Sequence, residues 1–329
     1  MPSEPVASDR VSELIVRIKE SADGLVRDRT SRGDLKIISR TLRELRYAFK
    51  IFAPFRAARK VTIFGSARTP AEAPAYQQAV LFGRRMAEAD WLVITGAAQG
   101  IMEAGHVGAG RERSMGLNIM LPFEQSANPV IAGDRKLVHM KYFFNRKLMF
   151  VKESDAICLL PGGFGTLDEG LEVLTLLQTG KRDAVPVVLL DEPGGGYWSA
   201  FQHFVREQLL GRGMIDADDL SLYKITDKVE EAAEEILGFF RVYHSMRYVR
   251  QQLVLRLNHP VSDELVAHLN AEFGDILLEG KIEKSEALPE ETDDPAIVGL
   301  PRLVLSFDRR HFGRLRQLID ALNGRDCCS

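Results

Sequence analysis

The chain has few cysteines, no long apolar run and almost no excess of charge. Its three cysteines, Cys158, Cys327 and Cys328, make no disulfide framework, and no apolar stretch approaches the ~20 residues of a membrane span. The 43 basic and 46 acidic residues leave a net charge of −3, which argues against a general polyanion-binding role. These absences favour a cytoplasmic protein that binds neither nucleic acid nor a membrane.

The 329 residues are enough for one large α/β core and a smaller second domain. Residues 1–57 form an N-terminal helical segment with two apolar stripes. Val11, Leu14, Ile15 and Ile18 make the first stripe, and Ile38, Leu42, Leu45, Phe49 and Phe52 make the second, between Asp34 and Pro54. Basic residues interleave with the stripes, which favours a solvated helix face over a nucleic-acid arm.

Residues 58–248 alternate short β-rich runs with helical stretches. The predicted strands are Val61–Phe64, Trp91–Thr95, Leu117–Leu121, Ala156–Leu160 and Val185–Leu190. The predicted helices are Pro74–Ala89, Ile101–Ala109, Phe143–Glu153, Leu167–Thr179, Tyr197–Leu210 and Asp227–Phe240. This alternation predicts a doubly wound, Rossmann-like parallel sheet, with three glycine-containing loops at the carboxyl edge of the strands.

Residues 249–329 show a different pattern. After a basic, aromatic joint (Arg241–Tyr248), strands are predicted at Leu253–Leu257, Ile276–Lys284 and Leu303–Phe307, with helices at Asp263–Phe273 and Phe312–Leu322 and a loop at Glu286–Pro295. This order predicts a small α+β module of ferredoxin-like or ACT-like type. It carries no catalytic constellation, so we expect it to regulate or assemble the protein.

A glycine-rich turn, Pro161-Gly162-Gly163-Phe164-Gly165-Thr166, separates a predicted strand from a predicted helix. Backbone N–H groups at such a turn lie at the positive end of the helix dipole, which makes a phosphate site. Glu169 falls on the first helical turn, opposite the side shared by Leu167, Leu171 and Leu174. A carboxylate repels phosphate, so the position of Glu169 favours a catalytic role at the adjacent sugar. The alternative is that the helix dipole alone favours a Glu in the first turn.

Two motifs, Phe143-Phe144-Asn145-Arg146-Lys147 and the glycine-rich turn with its Thr-Leu-Asp-Glu continuation, resemble those of the LOG ("Lonely Guy") family. The resemblance runs from about Lys60 to Phe240. It includes Phe64-Gly65-Ser66-Ala67-Arg68, Ile101-Met102-Glu103-Ala104 and Gln178-Thr179-Gly180-Lys181. Members are Rossmann-like nucleoside 5′-monophosphate phosphoribohydrolases, often mislabelled lysine decarboxylases. The resemblance therefore implies cleavage of an N-glycosidic bond in AMP-like or cytokinin nucleotides, without a cofactor.

The resemblance assigns roles to individual residues. Gly162, Gly163, Gly165 and Thr166 hold the 5′-phosphate, Glu169 is the catalytic carboxylate, and Arg146 is its partner. Ser66 and Arg68 touch phosphate or ribose, with helix capping as the alternative for Ser66. Met102 and Glu103 lie where the family receives the base, with core packing and a dipole contact as their alternatives. Lys147 holds the base or a carboxylate, or is a plain surface lysine.

One departure from the family pattern leaves an alternative open. Ala97 and Ala98 stand where the family usually has glycines, and their methyl groups narrow the close backbone approach that glycine permits. This favours a nonenzymatic nucleotide or cofactor carrier of the same fold as the second hypothesis. An NAD(P)-dependent oxidoreductase is disfavoured, because the first strand leads into Gly65-Ser66-Ala67-Arg68 and not into a GxGxxG turn.

Family members pair through helices beside the glycine-rich loop, which implies a homodimer or higher homo-oligomer with active sites near the interface. Phe150, Leu176 and Leu177 are the apolar candidates for that contact. His106 and His139 lack metal-ligand spacing with any other His or Cys, so both are interpreted as ordinary residues and no metal is expected.

Overall fold

The structure is a computed structural model that describes residues 7–121, 126–291 and 296–324. Cys327 and Cys328, and the last four residues of the expected loop Glu286–Pro295, lie outside the described residues. Among the described helices, none combines the length and the apolar character needed to cross a membrane. Two helices open the chain, α1 (Ala7–Arg27) and α2 (Arg32–Phe52), as the apolar stripes predict.

A seven-stranded parallel sheet forms the larger part of the molecule. Its strands are β1 (Lys60–Phe64), β2 (Leu92–Thr95), β3 (Ser114–Ile119), β4 (Leu137–Met140), β5 (Ala156–Leu159), β6 (Val187–Leu190) and β7 (Lys224–Thr226). The spatial order is β4-β3-β2-β1-β5-β6-β7. The chain thus winds outward in one direction from β1 and then outward in the other from β5. A ligand crevice is expected where the direction reverses, between the carboxyl ends of β1 and β5.

Helices cover both faces of this sheet. They are α3 (Pro74–Glu88), α4 (Ile101–Arg113), α5 (Phe143–Glu153), α6 (Phe164–Gln178), α7 (Tyr197–Phe204) and α8 (Val229–Phe239). One core cluster joins the sheet to α5, α6 and α7 and also takes Ala48 and Phe52 from α2, both at most 1% exposed. The other cluster joins it to α3, α4 and α8. The predicted doubly wound architecture is confirmed, and α2 packs as part of its layer.

The C-terminal module is built on an antiparallel sheet of β8 (Tyr243–Val249), β9 (Gln252–Leu257), β10 (Leu277–Ser285) and β11 (Arg302–Phe307), with α9 (Asp263–Glu272) and α10 (Phe312–Leu322). The strand order is β10-β11-β9-β8. From β9 onward, this is a ferredoxin-like order whose last strand is supplied by β8, from the front of the module. The segment expected to be a joint is therefore a strand of this sheet.

Several element predictions were wrong in detail. Strands β4, β7 and β8 were not predicted, β3 begins three residues before Leu117, and the expected helix Tyr197–Leu210 becomes a π-helix at Val205. Helix α6 begins at Phe164, three residues before the predicted start, with Gly163 as its N-cap. Leu167 and Leu174 pack against the core beside Val173 and Leu177, as predicted, whereas Leu171 is 46% exposed.

The residues expected at a subunit interface belong to the core. Phe150 and Leu177 are 2% and 4% exposed, and Leu176 is half-buried. Exposed apolar side chains lie instead on α1, α2 and the outer face of α5: Val11, Leu14, Ile15, Ile18, Ile38, Leu42, Phe49, Phe144 and Leu148. Many of the exposed large apolar side chains of the described residues are thus on these three helices.

Candidate active site

A cavity of about 740 Å³ opens at the carboxyl ends of β1, β2, β3 and β5, on both sides of the β1–β5 reversal. Predicted residues that line it are Ser66, Arg68, Met102, Arg146, Gly162, Gly163, Gly165, Thr166 and Glu169. Glu103 and Lys147 are not among the lining residues. The three loops that follow strands therefore converge on one cavity, as their positions in the sequence predict.

The glycine-rich turn forms the first turn of α6, with Gly163 as its N-cap. The amide of Thr166 donates to Gly163 O, but within the described residues the amides of Phe164 and Gly165 have no acceptor. A Cβ at Gly163 or Gly165 would meet no atom within 4 Å, so both residues border open space. Free amides at the start of a helix beside open space are suited to an anionic oxygen.

Two contacts hold this turn in place. The hydroxyl of Tyr197, in α7, donates to Gly162 O over 2.6 Å, and the Ser66 amide donates to Pro161 O over 3.1 Å. At Gly162 a Cβ would collide with the Thr166 side chain, so glycine is required there. Tyr197 was not predicted from the sequence, because nothing in the residues around it indicates a contact with a loop 35 residues earlier.

Glu169 lies one turn into α6, is 5% exposed and faces the cavity. Burial raises the pKa of its carboxyl to about 7, although the cations of Arg146 and Lys147 act in the opposite direction. The carboxyl is therefore part protonated and part ionised near neutral pH. Such a group exchanges a proton readily at physiological pH, which is the property of a general base.

Arg146, in α5, reaches the same cavity from the other side. Its Nη2 lies 3.9 Å from Glu169 Oε1, which is too long for a hydrogen bond but close enough for electrostatic attraction. The guanidinium carbon lies 5.0 Å and 5.7 Å from the ring centres of Phe143 and Phe150. Its Nε is buried and has no acceptor within the described part of the chain. The guanidinium is thus held by aromatic rings, and its Nε–H remains available to donate a hydrogen bond.

Lys147 turns away from the cavity. Its Nζ contacts Asp168 at 2.8 Å and Glu172 at 3.0 Å, both on α6. These hydrogen bonds raise the pKa of Lys147 against the opposing effect of burial. Of the roles considered for Lys147, the structure places it with neighbouring carboxylates, where it ties α5 to α6.

The other predicted residues divide between the cavity and its surroundings. Ser66 Oγ accepts from the Arg68 amide over 3.1 Å, so it stabilises its own turn, while Arg68 is exposed at the rim. Met102 lines the cavity and lies against Gly96. Glu103 is half-buried outside the cavity. Burial raises the pKa of Tyr76, and the charge of Glu103 raises it further. Of this pair, only Met102 can contact a ligand in this cavity.

Ala97 and Ala98 differ in their placement. Ala97 is fully buried against Ile131 and Leu137, and its φ of 60° is left-handed, at a cost to alanine of about 1 kcal/mol. Its amide donates to Thr95 Oγ1 over 2.9 Å. Ala98 lines the cavity. One of the two methyl groups therefore fills the core, and only the other narrows the site.

The apolar part of the cavity, which was not predicted, is formed by Phe64, Ile119, Leu121, Phe143, Phe150 and Leu167. Phe64 and Ile119 end strands, and Phe143, Phe150 and Leu167 lie in helices, where apolar residues are usually core. An apolar wall opposite the free amides of α6 suits a flat ring at a distance from a phosphate.

Helix α2 anchors the segment that carries Arg146. Glu44 is 5% exposed and accepts from the Lys141 amide at 3.0 Å and from Asn145 Nδ2 at 2.8 Å. Arg40 Nε also donates to Glu44 Oε1, over 2.6 Å. Burial acts to raise the pKa of Glu44, but the contact with Arg40 and the hydrogen bonds from Asn145 and Lys141 outweigh it and lower the pKa, so Glu44 is ionised at neutral pH. Asn145 immediately precedes Arg146, so α2 helps to position the arginine of the candidate site.

Comparison with known proteins agrees with these motifs. Residues 95–236 match a family described as "Possible lysine decarboxylase". A probable cytokinin riboside 5′-monophosphate phosphoribohydrolase of Oryza sativa subsp. japonica is 30% identical over 166 residues, covering 48% of this chain and 68% of that protein. The chain belongs to the LOG family. The resemblance predicted from the sequence motifs is confirmed.

Another LOG relative, from Arabidopsis thaliana, carries the same description as the rice protein. It is 48% identical over 60 residues, which span 18% of this chain but only 28% of that protein. The family match ends at residue 236, before the C-terminal module begins. The module thus lies outside the residues that match the family.

Solved structures with similar backbones include two proteins named for the molybdenum cofactor. The binding protein from Rippkaea orientalis is 21% identical and covers 55% of this chain and 96% of its own, with a TM-score of 0.39. The carrier protein from Chlamydomonas reinhardtii is 19% identical, covers 55% and 96%, and has a TM-score of 0.38.

Proposed function

We propose that this LOG-family protein hydrolyses the N-glycosidic bond of nucleoside 5′-monophosphates, releasing the free base and ribose 5-phosphate. The observation that carries the proposal is the placement of Glu169. A buried carboxyl with a pKa of about 7 lies beside Arg146 and about one helical turn from the free amides of the glycine-rich turn. A carboxylate here serves chemistry on the sugar, since it weakens phosphate binding.

The phosphate and the base are assigned to opposite parts of the cavity. The amides of Phe164 and Gly165, together with the Thr166 hydroxyl, form the phosphate cradle, and the apolar wall with Met102 and Phe143 receives the base. The ribose then lies between them, near Glu169. Binding energy from the remote phosphate is used to orient the anomeric carbon.

Breaking the glycosidic bond leaves positive charge on the anomeric carbon and negative charge on the departing base. The Glu169 carboxylate stabilises the cationic sugar and takes the proton of the attacking water, whose oxygen forms the new bond to carbon. The proton that Glu169 takes from the water passes through solvent to the departing base. The base leaves as the neutral molecule, and the Glu169 carboxylate is restored. Arg146 keeps part of the Glu169 population ionised and orients the carboxylate.

Single-turnover incubation with AMP tests this function against the carrier hypothesis. An enzyme releases adenine and ribose 5-phosphate. We expect adenosine to be cleaved at less than about one tenth of the AMP rate, because it lacks the 5′-phosphate that positions the nucleotide. A panel including isopentenyl-AMP identifies the preferred base by chromatography. Recovery of every bound nucleotide intact would favour the carrier, and equal cleavage of AMP and adenosine would contradict the phosphate cradle.

Gly165→Ala tests the cradle without disturbing the fold. The new methyl group would project into open space at a helical position, so the melting temperature should rise slightly or stay constant. The same methyl group crowds a bound phosphate, and we expect KM for AMP to increase about tenfold with a smaller change in kcat. Gly274→Ala, also with open space around its Cβ position but in the C-terminal module, is the control. An unchanged KM would place the phosphate elsewhere.

We also propose that the protein forms a homodimer through the exposed apolar faces of α1 and α2. Leu14 and Leu42 are 59% and 53% exposed, and apolar stripes of this size are usually covered by a partner. Light scattering should give twice the chain mass of 36.8 kDa. Leu14→Glu combined with Leu42→Glu should lower that mass, whereas Lys19→Glu combined with Lys36→Glu should not. A monomer at micromolar concentration would end this idea.

A further inference from the structure

A second cavity, of about 350 Å³, lies at the opposite edge of the parallel sheet. It is bordered by the residue before β1, the segments that follow α5 and α6, and the start of the C-terminal module. The charged and polar residues that matter here are Arg59, Lys152, Ser154, Asp155, Lys181, Arg182, Asp183 and His244. The cavity therefore lies between the catalytic domain and the module.

Most charges around this cavity are already paired. Arg59 contacts Asp155 at 2.8 Å and donates to His244 O at 3.0 Å, and Lys152 contacts Glu153 at 2.5 Å. Burial and the neighbouring cations of Arg59 and Arg256 lower the pKa of His244, so it is neutral. These groups are committed to holding the walls together.

Two adjacent cations, Lys181 and Arg182, have hydrogen-bond donors that are not used within the described residues. Arg182 donates through Nη2 to Ser154 O, but its Nη1 is buried and has no acceptor within residues 7–121, 126–291 and 296–324. The Lys181 side chain is exposed and makes no hydrogen bond or ion pair within the same ranges. Burial lowers the pKa of Arg182 to about 10, so the guanidinium remains charged at neutral pH.

Two carboxyls, Asp155 and Asp183, act electrostatically on Arg182. Asp155 is already paired with Arg59 at 2.8 Å, and burial raises the pKa of Asp183 despite the cations of Arg182 and Arg256. A buried guanidinium nitrogen without an acceptor is rare, because no hydrogen bond then offsets the free-energy cost of removing the N–H group from water. The missing acceptor is best supplied by an oxygen atom of a ligand that carries negative charge.

We propose that this cavity binds a small oxyanion, a phosphate or carboxylate group of a metabolite, through Lys181 and Arg182. Nothing in the proposed reaction uses these residues. The site is separate from the phosphate cradle, which lies at the other end of α6.

Two helices run between the second cavity and the active-site cavity. Helix α5 runs from Phe143 and Arg146 at the active site to Lys152 at the second cavity, and α6 runs from Glu169 to the Lys181–Asp183 segment. The end of α6 also meets the module, because Phe312 fills the space where a side chain on Gly180 would lie. Helices α5 and α6 therefore connect the second cavity with the active-site cavity.

Calorimetric titration of the full chain with inorganic pyrophosphate and with citrate tests the binding site directly. We expect one of them to bind at millimolar concentration or below, and the preference distinguishes a phosphate from a carboxylate ligand. Lys181→Ala should weaken that binding about tenfold or more, and Arg182→Lys should do the same while keeping the charge. Lys281→Ala, an exposed lysine in the module, is the matched control and should leave binding unchanged.

This experiment is independent of the proposed reaction, because it requires no turnover. An anion in the active-site cavity would be recognised by its loss in Arg146→Ala and its survival in Lys181→Ala, and that result would overturn the proposal. Absence of binding by both anions would also overturn it. Lys181→Ala removes no contact that the structure shows, so a loss of binding in that variant cannot be attributed to misfolding.

Discussion

Glu169→Gln should lower turnover of the best nucleotide by roughly 10²-fold or more, equivalent to about 3 kcal/mol of transition-state stabilisation. The substitution keeps the shape of the side chain but removes the negative charge that a cationic sugar requires. Nucleotide binding should survive or tighten, since the phosphate is held by amides and a nearby like charge has gone. Measurement of kcat and of the dissociation constant separates the two effects.

Folding stability provides the control for this variant. Raising the Glu169 pKa from 4.5 to about 7 costs roughly 3 kcal/mol of folding free energy when the group is ionised, because each pH unit is worth about 1.4 kcal/mol. The cost is absent below pH 4.5 and complete above pH 7. Glu169→Gln should therefore be about as stable as the parent at about pH 3.5 and more stable at about pH 8.

Asp168→Asn is the matched variant for the same experiment. Asp168 is adjacent in sequence, its side chain is 58% exposed, and it faces Lys147 instead of the cavity. Loss of its charge should change turnover little. If Glu169→Gln kept near-normal hydrolysis, or if Asp168→Asn were equally inactive, the mechanism would be wrong and the carrier hypothesis would replace it.

Arg146→Ala should lower kcat/KM by roughly 50-fold, as expected for loss of one charged group in a closed site. The pH profile supplies a more specific signature. Glu169 is active as the carboxylate, so activity should rise with pH and level off above about pH 7 in the parent. Without the Arg146 cation the Glu169 pKa rises further, and the profile should move to higher pH.

Two further variants separate the charge of Arg146 from its packing. Arg146→Lys retains the cation and should restore the position of the pH profile, even if it does not restore the full rate. The double variant Arg146→Ala with Glu169→Gln should be little slower than Glu169→Gln alone, because groups that act as a unit are not additive. Full additivity would mean that the two residues act separately.

The parallel sheet was predictable because its central strands are continuous apolar runs. Strand β8 was not predicted, since Tyr243, Met246 and Val249 are its buried residues and their spacing is three. A register shift between Tyr243 and Ser245 breaks the two-residue alternation on which strand prediction relies. Strand β4 was not predicted, because the exposed His139 interrupts its apolar run, and β7, with three residues, is too short to show a pattern.

The site was predictable where chemistry is concentrated in one loop. Gly162, Gly163, Gly165, Thr166 and Glu169 lie within eight residues, and the direction of the strands brings Arg146 to them. Tyr197 and Glu44 act through contacts 35 and 97 or more residues away, so no local pattern shows them. The burial that raises the Glu169 pKa likewise depends on the whole fold.

The connection between the parallel-sheet domain and the C-terminal module is short and hydrogen-bonded. Three residues separate the end of α8 at Phe239 from the start of β8 at Tyr243. Asn323, which follows α10, accepts from the amides of Val242 and Tyr243 and donates to Phe239 O. These hydrogen bonds tie the end of α10 to both the end of α8 and the start of β8. We therefore expect α8 and the module to move as one unit, with little freedom for the module to swing by itself.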